Sequence, residues 1–492
     1  MPGTSAFFCL ESYKMNYSYS NYVGRRTWLA TLVGVALAGC ATLPPKDAAP
    51  KLDTVEQADF AKAGNGAWPA ADWWKQFGDA QLDTLIEHAL ANSPNMAVAQ
   101  ARVAQASAES RAVAAEGGIN VAADAQVSRQ LYSKNSIYPP PLGGSYDTSG
   151  DMRLDFSYDF DFWGRNRSAI EAALGQRAAA QAEVAGAAAS LSAAVAHSYY
   201  QWQALNAHIA SIESIEAQRG ALVQLEARRV KAGIVSGDNL HPLVADAAAP
   251  HQTLVQLQTQ REQAAFQLKS LVGGDRNMPA LKAVPLPTVK AELPSNLPID
   301  LLARRPDIAA ARDRVQASLK QVDSARAAFY PDISITAFAG ANSLYMGKLL
   351  HASSRELGVT PALHLPLFDA GRLRAGLDEN RADVTMAVAQ YDQALQAAVA
   401  DVNDAVVRLN GAEAERASLD KQLQSRQRDL DGANKRLKAG LADRREVLRD
   451  QLSLTSVQDQ EINRRVQALS AQVDLIKALG GGYVAPEQAA QQ

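Results

Sequence analysis

The sequence predicts a mixed α and β membrane protein in which one plan is used twice: a strand hairpin carried at the end of long paired helices. Three observations predict it. The chain repeats its own landmarks at a fixed offset. One segment alternates apolar and polar residues over twelve positions. One helical stretch keeps its apolar residues at the supercoiling period for 28 residues.

The totals set the bounds. Lys and Arg number 49 against 52 Asp and Glu, a formal net charge of −3, without the basic excess of a nucleic-acid-binding chain. Beyond residue 40 no run of eighteen apolar residues occurs, so the processed chain has no helix able to cross a bilayer. Barrel strands escape that test, because alternation averages their hydropathy away. The cysteines are Cys9 and Cys40 alone, which leaves no disulfide or thiol chemistry downstream.

At the N-terminus, Arg25 and Arg26 precede the apolar run Trp28 to Leu37, and Ala38-Gly39-Cys40 follows. A basic region, a short apolar region and small residues before the cut define a secretory signal over 1–39. Leu37-Ala-Gly-Cys40 resembles the lipobox of bacterial lipoproteins, which implies diacylglycerol on Cys40. Ala41 in place of aspartate favours sorting to the outer membrane. Residues 1–14 exceed what such a signal needs, and Met15 opens one of ordinary length. Residues 40–70 read as a lipidated tether.

The repeats follow. Gly164-Arg165 recurs as Gly371-Arg372, Lys231-Ala-Gly233 as Lys438-Ala-Gly440, and Gly273 as Gly480, all at an offset of 207. Upstream, Pro94 and Arg102 recur as Pro306 and Arg314 at 212. The five-residue difference falls in the strands and their loop, where insertions are cheapest. The first repeat is 71–273, with a helix at 81–115, a strand hairpin at 119–162, a long helix at 168–231 and a helix at 240–271. A linker at 274–299 leads to the second repeat, 300–482. Its helix is at 300–328, its hairpin at 332–367, its long helix at 375–438 and its last helix at 446–479. Residues 483–492 form a tail. Pro250 falls inside the 240–271 helix, and a bend or break is expected at 248–250.

Residues 151–162 are apolar at every even position and polar at every odd one. At about 3.3 Å per residue they span about 40 Å, enough to cross a bilayer. Asp151, Arg153, Asp155, Asp159 and Asp161 then share the aqueous face. The long helix carries Val184, Ala188, Leu191, Val195, Tyr199, Trp202, Leu205, Ile209 and Ile212, a mean spacing of 3.5. The helices at 81–115 and 240–271 together match the long helix in length, so they stack end to end along it. Four strands cannot close a membrane barrel alone, and open edges in lipid leave backbone groups unpaired. Several chains must therefore share one barrel.

Trp73-Trp-Lys-Gln-Phe-Gly-Asp-Ala-Gln-Leu82, Phe162-Trp-Gly-Arg165, Leu365-Pro-Leu-Phe-Asp-Ala-Gly-Arg372, the lipobox and the two Lys-Ala-Gly turns resemble the outer membrane factor family. These are the TolC-like efflux channels, and the likeness is to their NodT-type lipoprotein branch. The resemblance implies a homotrimer with a twelve-strand outer-membrane β-barrel and a coiled-coil α-helical periplasmic tunnel. It implies a passive exit duct in a tripartite efflux system. Its partners would be a periplasmic adaptor, an inner-membrane transporter of the resistance-nodulation-division type and outer-membrane lipid. It also places the aperture and the adaptor contact at the helix tips, here Lys231, Gly233 and Asp238, and Lys438, Gly440, Asp443, Arg444 and Arg445. Related channels close with aspartates after the second turn; by spacing from Gly440 that position is Arg449, beside Asp450, a departure from the pattern. No catalytic constellation or metal-ligand spacing stands out, so neither an enzyme nor a cofactor is expected. The alternative reading is a periplasmic adaptor-type coiled-coil lipoprotein without a barrel. An adaptor has one hairpin between β-rich halves, not two strand-bearing copies.

Overall fold

The computed structural model describes residues 45–54, 66–274, 278–288 and 304–485. Cys9, Cys40, the signal 1–39, most of the linker and the end of the tail lie outside the described residues.

A 3-10 turn at Trp73–Phe77 leads into α1 (Ala80–Asn92) and α2 (Pro94–Glu116). Strands β1 (Asn120–Leu131) and β2 (Tyr146–Phe160) follow, then α3 (Arg165–Lys231) and α4 (Leu240–Leu271). The second half has α5 (Pro306–Ala327), β3 (Asp332–Ser343), β4 (Arg355–His364), α6 (Arg372–Lys438) and α7 (Arg444–Ala478). The long helices α3 and α6 each have 67 residues, about 100 Å at 1.5 Å per residue.

Two sequence expectations are corrected. The helix expected at 81–115 is two helices. Ser93 ends α1 in an extended conformation (ψ 131°) because Pro94 follows it. The second copy repeats this at Arg305 (ψ 123°), before Pro306. In contrast, of the bend or break expected at 248–250 the break does not occur, and α4 runs through Pro250. A proline deprives the carbonyl four residues earlier of its helical donor. Here that carbonyl belongs to Asp246, and Arg219 of α3 donates to it at 2.5 Å.

Helix α3 is the axis of the fold. It packs against α1, α2, α4, α5 and α7, while α6 packs against α5 and α7. Along α3 the evenly spaced residues Leu191, Val195, Tyr199, Trp202 and Leu205 are buried in one core with Trp73, Leu82, Leu85 and Ile86 from the start of the repeat, and Ile209 is buried further along. A second core joins Ile308 and Val315 of α5 to Tyr391, Leu395 and Val402 of α6 and to Leu475 of α7. Both cores lie part-way along the rods. The described linker residues dock there too. Gln81 and Gln203 hold Lys282 and Val284 through main-chain hydrogen bonds, and Gln203 and Tyr199 bond to one another.

The glycine landmarks have a common cause. Gly164 and Gly371 open the long helices, and Gly233 and Gly440 follow their last turns, all with φ between 72° and 88°. That left-handed region favours glycine, which is why these positions recur.

The sheet is antiparallel in the order β1-β2-β3-β4. Its register brings Ala122, Asp155 and Phe338 side by side, and Asp124, Arg153 and Gly340 beside them. One face therefore carries Asp124, Asp151, Arg153, Asp155, Asn342 and Glu356. The other carries Val121, Val127, Met152, Leu154, Phe160, Leu357, Val359 and Leu363, all exposed. Asp161 departs from the expected row. The strand ends at Phe160, and the Asp161 carboxylate instead accepts the main-chain N–H groups of Asn166 (3.1 Å) and Arg167 (2.8 Å), capping α3. Asp369 caps α6 similarly, through Gly371 and Leu373.

Candidate functional site

The ends of α3 and α6 away from the sheet turn into α4 and α7 by the same device. Gly233 N–H bonds to Val230 O and Ile234 N–H to Arg229 O, each at 2.9 Å. Gly440 bonds to Leu437 (3.1 Å) and Leu441 to Arg436 (2.8 Å). Both are the double hydrogen bond that closes a helix on a left-handed glycine. The next elements are capped by Ser236, which accepts from Asp238 N–H, and by Asp443, which accepts from Arg445 and Glu446 N–H. Ser236 and Asp443 are again 207 apart.

Lys231, Gly233 and Asp238 are exposed on the first tip, and Lys438, Gly440, Asp443 and Arg444 on the second. Arg445 is half-buried. It holds Asp443 with its Nε at 2.8 Å, and this guanidinium keeps the Asp443 carboxyl below the usual carboxylate range. Arg449 is exposed and Asp450 half-buried, one turn further along α7.

One residue that sequence reasoning missed joins the tips. Glu226 is 4 % exposed on the last turns of α3. Its Oε2 accepts from Arg229 Nη1 at 3.2 Å and lies 3.7 Å from Arg445 Nη1 of α7. A buried carboxylate is tolerated when paired and hydrogen-bonded. The equivalent position of the second repeat is the buried Ala433. Comparing the two copies position by position exposes this Glu-for-Ala difference. The same comparison finds Ile234 and Leu441, equivalent apolar residues that are 65 % and 79 % exposed on the two tips.

At the other end, aromatic side chains gather where strands meet helices. Trp163 stacks on Tyr330 at 4.6 Å and donates its Nε1–H to Pro331 O at 2.8 Å. Phe162 and Phe368 are exposed beside them. Aromatic girdles of this kind mark the edges of the apolar band in outer-membrane barrels.

Beside this junction the N-terminal segment is clamped to the helices. Asp47 takes a bidentate pair of bonds from Arg381 (2.9 and 3.0 Å) and one from Arg326 (3.1 Å). Leu52 packs on the α5–α6 core.

Known proteins share this architecture. The outer membrane efflux protein family matches residues 85–274 and again 297–481. The multidrug resistance outer membrane protein MdtP of Escherichia coli K12 is 35% identical over 482 residues, covering 94% of this chain and 97% of MdtP. MdtQ of Escherichia coli O157:H7 is 32% identical over 459 residues, 91% of this chain and 96% of its own. Among solved structures, the outer membrane protein VceC of Vibrio cholerae superposes with a TM-score of 0.76 at 32% identity, covering 84% of this chain and 100% of VceC. The open state of the Neisseria gonorrhoeae MtrE outer membrane channel gives 0.76 at 25% identity, over 90% and 98% of the two chains. Sheet, rods and paired tips together are thus those of known outer-membrane channels, and the chain belongs to the outer membrane efflux protein family.

Proposed function

We propose that this chain is one protomer of a homotrimeric exit duct in the outer membrane, the last component of a tripartite efflux system. The observation that carries the reading is the sheet. It offers a continuous exposed apolar face and a polar opposite face, and its β1 and β4 edges are unpaired among the described residues. In lipid such edges must be closed by further strands. Two copies make eight strands, a barrel whose interior side chains fill it. Three copies make twelve, the smallest closed number that leaves a passage. The 67-residue helices continue that passage into the periplasm for about 100 Å.

The tips would meet a periplasmic adaptor, which joins the duct to an inner-membrane transporter of the resistance-nodulation-division type. Ile234 and Leu441 supply apolar contacts, and the Arg229–Glu226–Arg445 bridge holds the two tips together in the closed aperture. The duct is passive and needs no cofactor. Cys40 carries lipid as an added anchor. Asp47 supports that anchor, because it is held by Arg326 and Arg381 near the helix ends that adjoin the sheet. The seven residues back to Cys40 reach at most about 25 Å, which keeps an acyl group beside the barrel.

Light scattering and single-channel recording of the full-length protein test this. A particle with the mass of three chains, conducting across a planar bilayer, is expected. A monodisperse monomer without conductance would overturn it.

A further inference from the structure

The apolar face of the sheet is interrupted at one end. Residues directly opposite one another on antiparallel strands share a face, and alternation carries that face along each strand. The register therefore places Arg129 of β1 in the row of Val121 and Val127, and Arg355 of β4 in the row of Leu357 and Val359. Among the described strand residues these two arginines are the charged side chains of the apolar face, and every Asp and Glu of the strands lies on the opposite one. Both arginines are exposed, and neither has an acidic partner among the described residues. Each stands nine residues from the end of its strand that adjoins a helix, Asn120 for β1 and His364 for β4. At about 3.3 Å per residue and a tilt of about 40°, that is a rise of about 23 Å, close to the height of about 25 Å of the apolar band of a membrane barrel. The arginines thus emerge at the outer edge of the hydrocarbon. The loop from β3 to β4 turns to the same side. A Cβ added to Gly150, which pairs with Val127 of the apolar face, would meet Leu349 Cδ2 at 2.8 Å and Met346 Sδ at 2.9 Å. Leu349 is buried there, while Lys348 and Leu350 are exposed. From Leu344 to Arg355 the chain has no Asp or Glu.

We propose that Arg129, Lys348 and Arg355 bind the phosphate groups of a phosphorylated lipid of the outer leaflet, whose acyl chains lie along Leu350 and the apolar face below it. Charge selects the headgroup, because this side of the rim presents cations without a carboxylate, and a guanidinium fork matches a phosphate. Continuity with the lipid-facing surface selects the acyl chains. The inference rests on the duct reading. β1 and β4 are the edges of the sheet, so closing the barrel lays β4 of one protomer beside β1 of its partner. Each site then takes Arg355 and Lys348 from one protomer and Arg129 from the other, and the bound lipid bridges the seam between chains.

Native mass spectrometry of the full-length protein in detergent, titrated with a multiply acylated, phosphorylated disaccharide lipid and with the same lipid after dephosphorylation, tests this. The phosphorylated lipid is expected to bind at least about tenfold more tightly, the difference that one charge-assisted hydrogen bond makes. R129Q/R355Q should abolish the preference, and R129K/R355K should keep most of it. An unchanged thermal midpoint in both variants confirms that the fold is intact. A particle of three chains that binds the two lipids equally, or whose preference survives R129Q/R355Q, overturns the proposal and leaves the duct reading standing. Displacement of the lipid by inorganic phosphate at equal concentration also overturns it, since the cations would then serve a soluble anion. A particle with the mass of one chain would overturn the duct reading, and with it a site built from two chains.

Discussion

Gly480 lies against the main-chain carbonyl of Arg304, so closely that a Cβ added to Gly480 would fall 1.9 Å from that oxygen. Gly273 meets Asn92 O in the same way, at 2.6 Å. Each contact is the joint where the end of one short helix meets the start of another, just before Pro94 or Pro306. The joints let pairs of short helices run continuously beside one long helix. Gly480→Ala must therefore strain the backbone, where φ is 95°, and also displace α5. Gly440→Ala has a similar φ, 72°, with open space around it. We expect Gly440→Ala to cost about 1–2 kcal/mol from backbone strain alone, and Gly480→Ala distinctly more. Thermal unfolding of the two variants compares them. Equal midpoints would mean that the joint is not a tight packing point.

Tyr199 and Tyr200 are adjacent and both buried, yet their hydroxyls differ. Tyr199 OH donates to Asp79 Oδ2 at 2.6 Å and accepts from Gln81 and Gln203. Tyr200 OH has no partner among the described residues. Removing a bonded hydroxyl leaves its partners unsatisfied, at about 1–3 kcal/mol, whereas removing an unbonded one does not. Tyr199→Phe should lower stability by that amount, and Tyr200→Phe should be neutral or stabilising. Chemical denaturation reads both; a larger loss in Tyr200→Phe would contradict the network.

The two faces of the sheet predict opposite responses on β4. Val359→Arg places a charge on the apolar face, where an arginine at mid-bilayer costs about 2–4 kcal/mol. Glu356→Arg places it on the polar face. Val359→Arg should reduce the folded, heat-resistant outer-membrane form on gels. Glu356→Arg should assemble normally and shift the channel's ion selectivity toward anions. Normal assembly of both would contradict the assignment of faces.

Several carboxylates along the rods are held below their usual range. Glu461 is held there by the bidentate Arg464, at 2.7 Å to both oxygens, and by Arg465. Asp474 is held by His197 and Arg408, and Asp47 chiefly by Arg381. A carboxylate with a lowered folded value binds fewer protons folded than unfolded. Its stabilisation is complete above the unfolded values, about 4, and is lost as pH falls through the lower folded ones. The thermal midpoint should therefore fall steeply only below about pH 4. Glu461→Gln should flatten that fall. An acid limb unchanged in Glu461→Gln would show that this pair does not contribute.

Much of the architecture was legible in the sequence because it repeats. A left-handed glycine stands at both ends of each long helix and at each joint, so the demand left a visible mark twice, 207 residues apart. Alternation from Asp151 to Phe160 and the 3.5-residue spacing from Val184 to Ile212 were legible because each reports a single face. What escaped were interactions between segments distant in the chain. Pro250 read as a bend or break, since nothing local supplies a partner for Asp246 O; Arg219, 27 residues away in sequence, does, and the helix is unbroken. Asp161 read as one more member of a polar row, but the strand ended one residue earlier and its carboxylate turned to cap α3.

The sequence by itself determined the elements, their order and their duplication, because helix period, strand period and glycine placement are local properties of the backbone. Only the tertiary structure decided how the tips are joined. Glu226 is an unremarked charge on a helix until folding brings Arg445 within 3.7 Å and buries it. Burial and pairing belong to the assembled chain, so no reading of spacing alone could have supplied them.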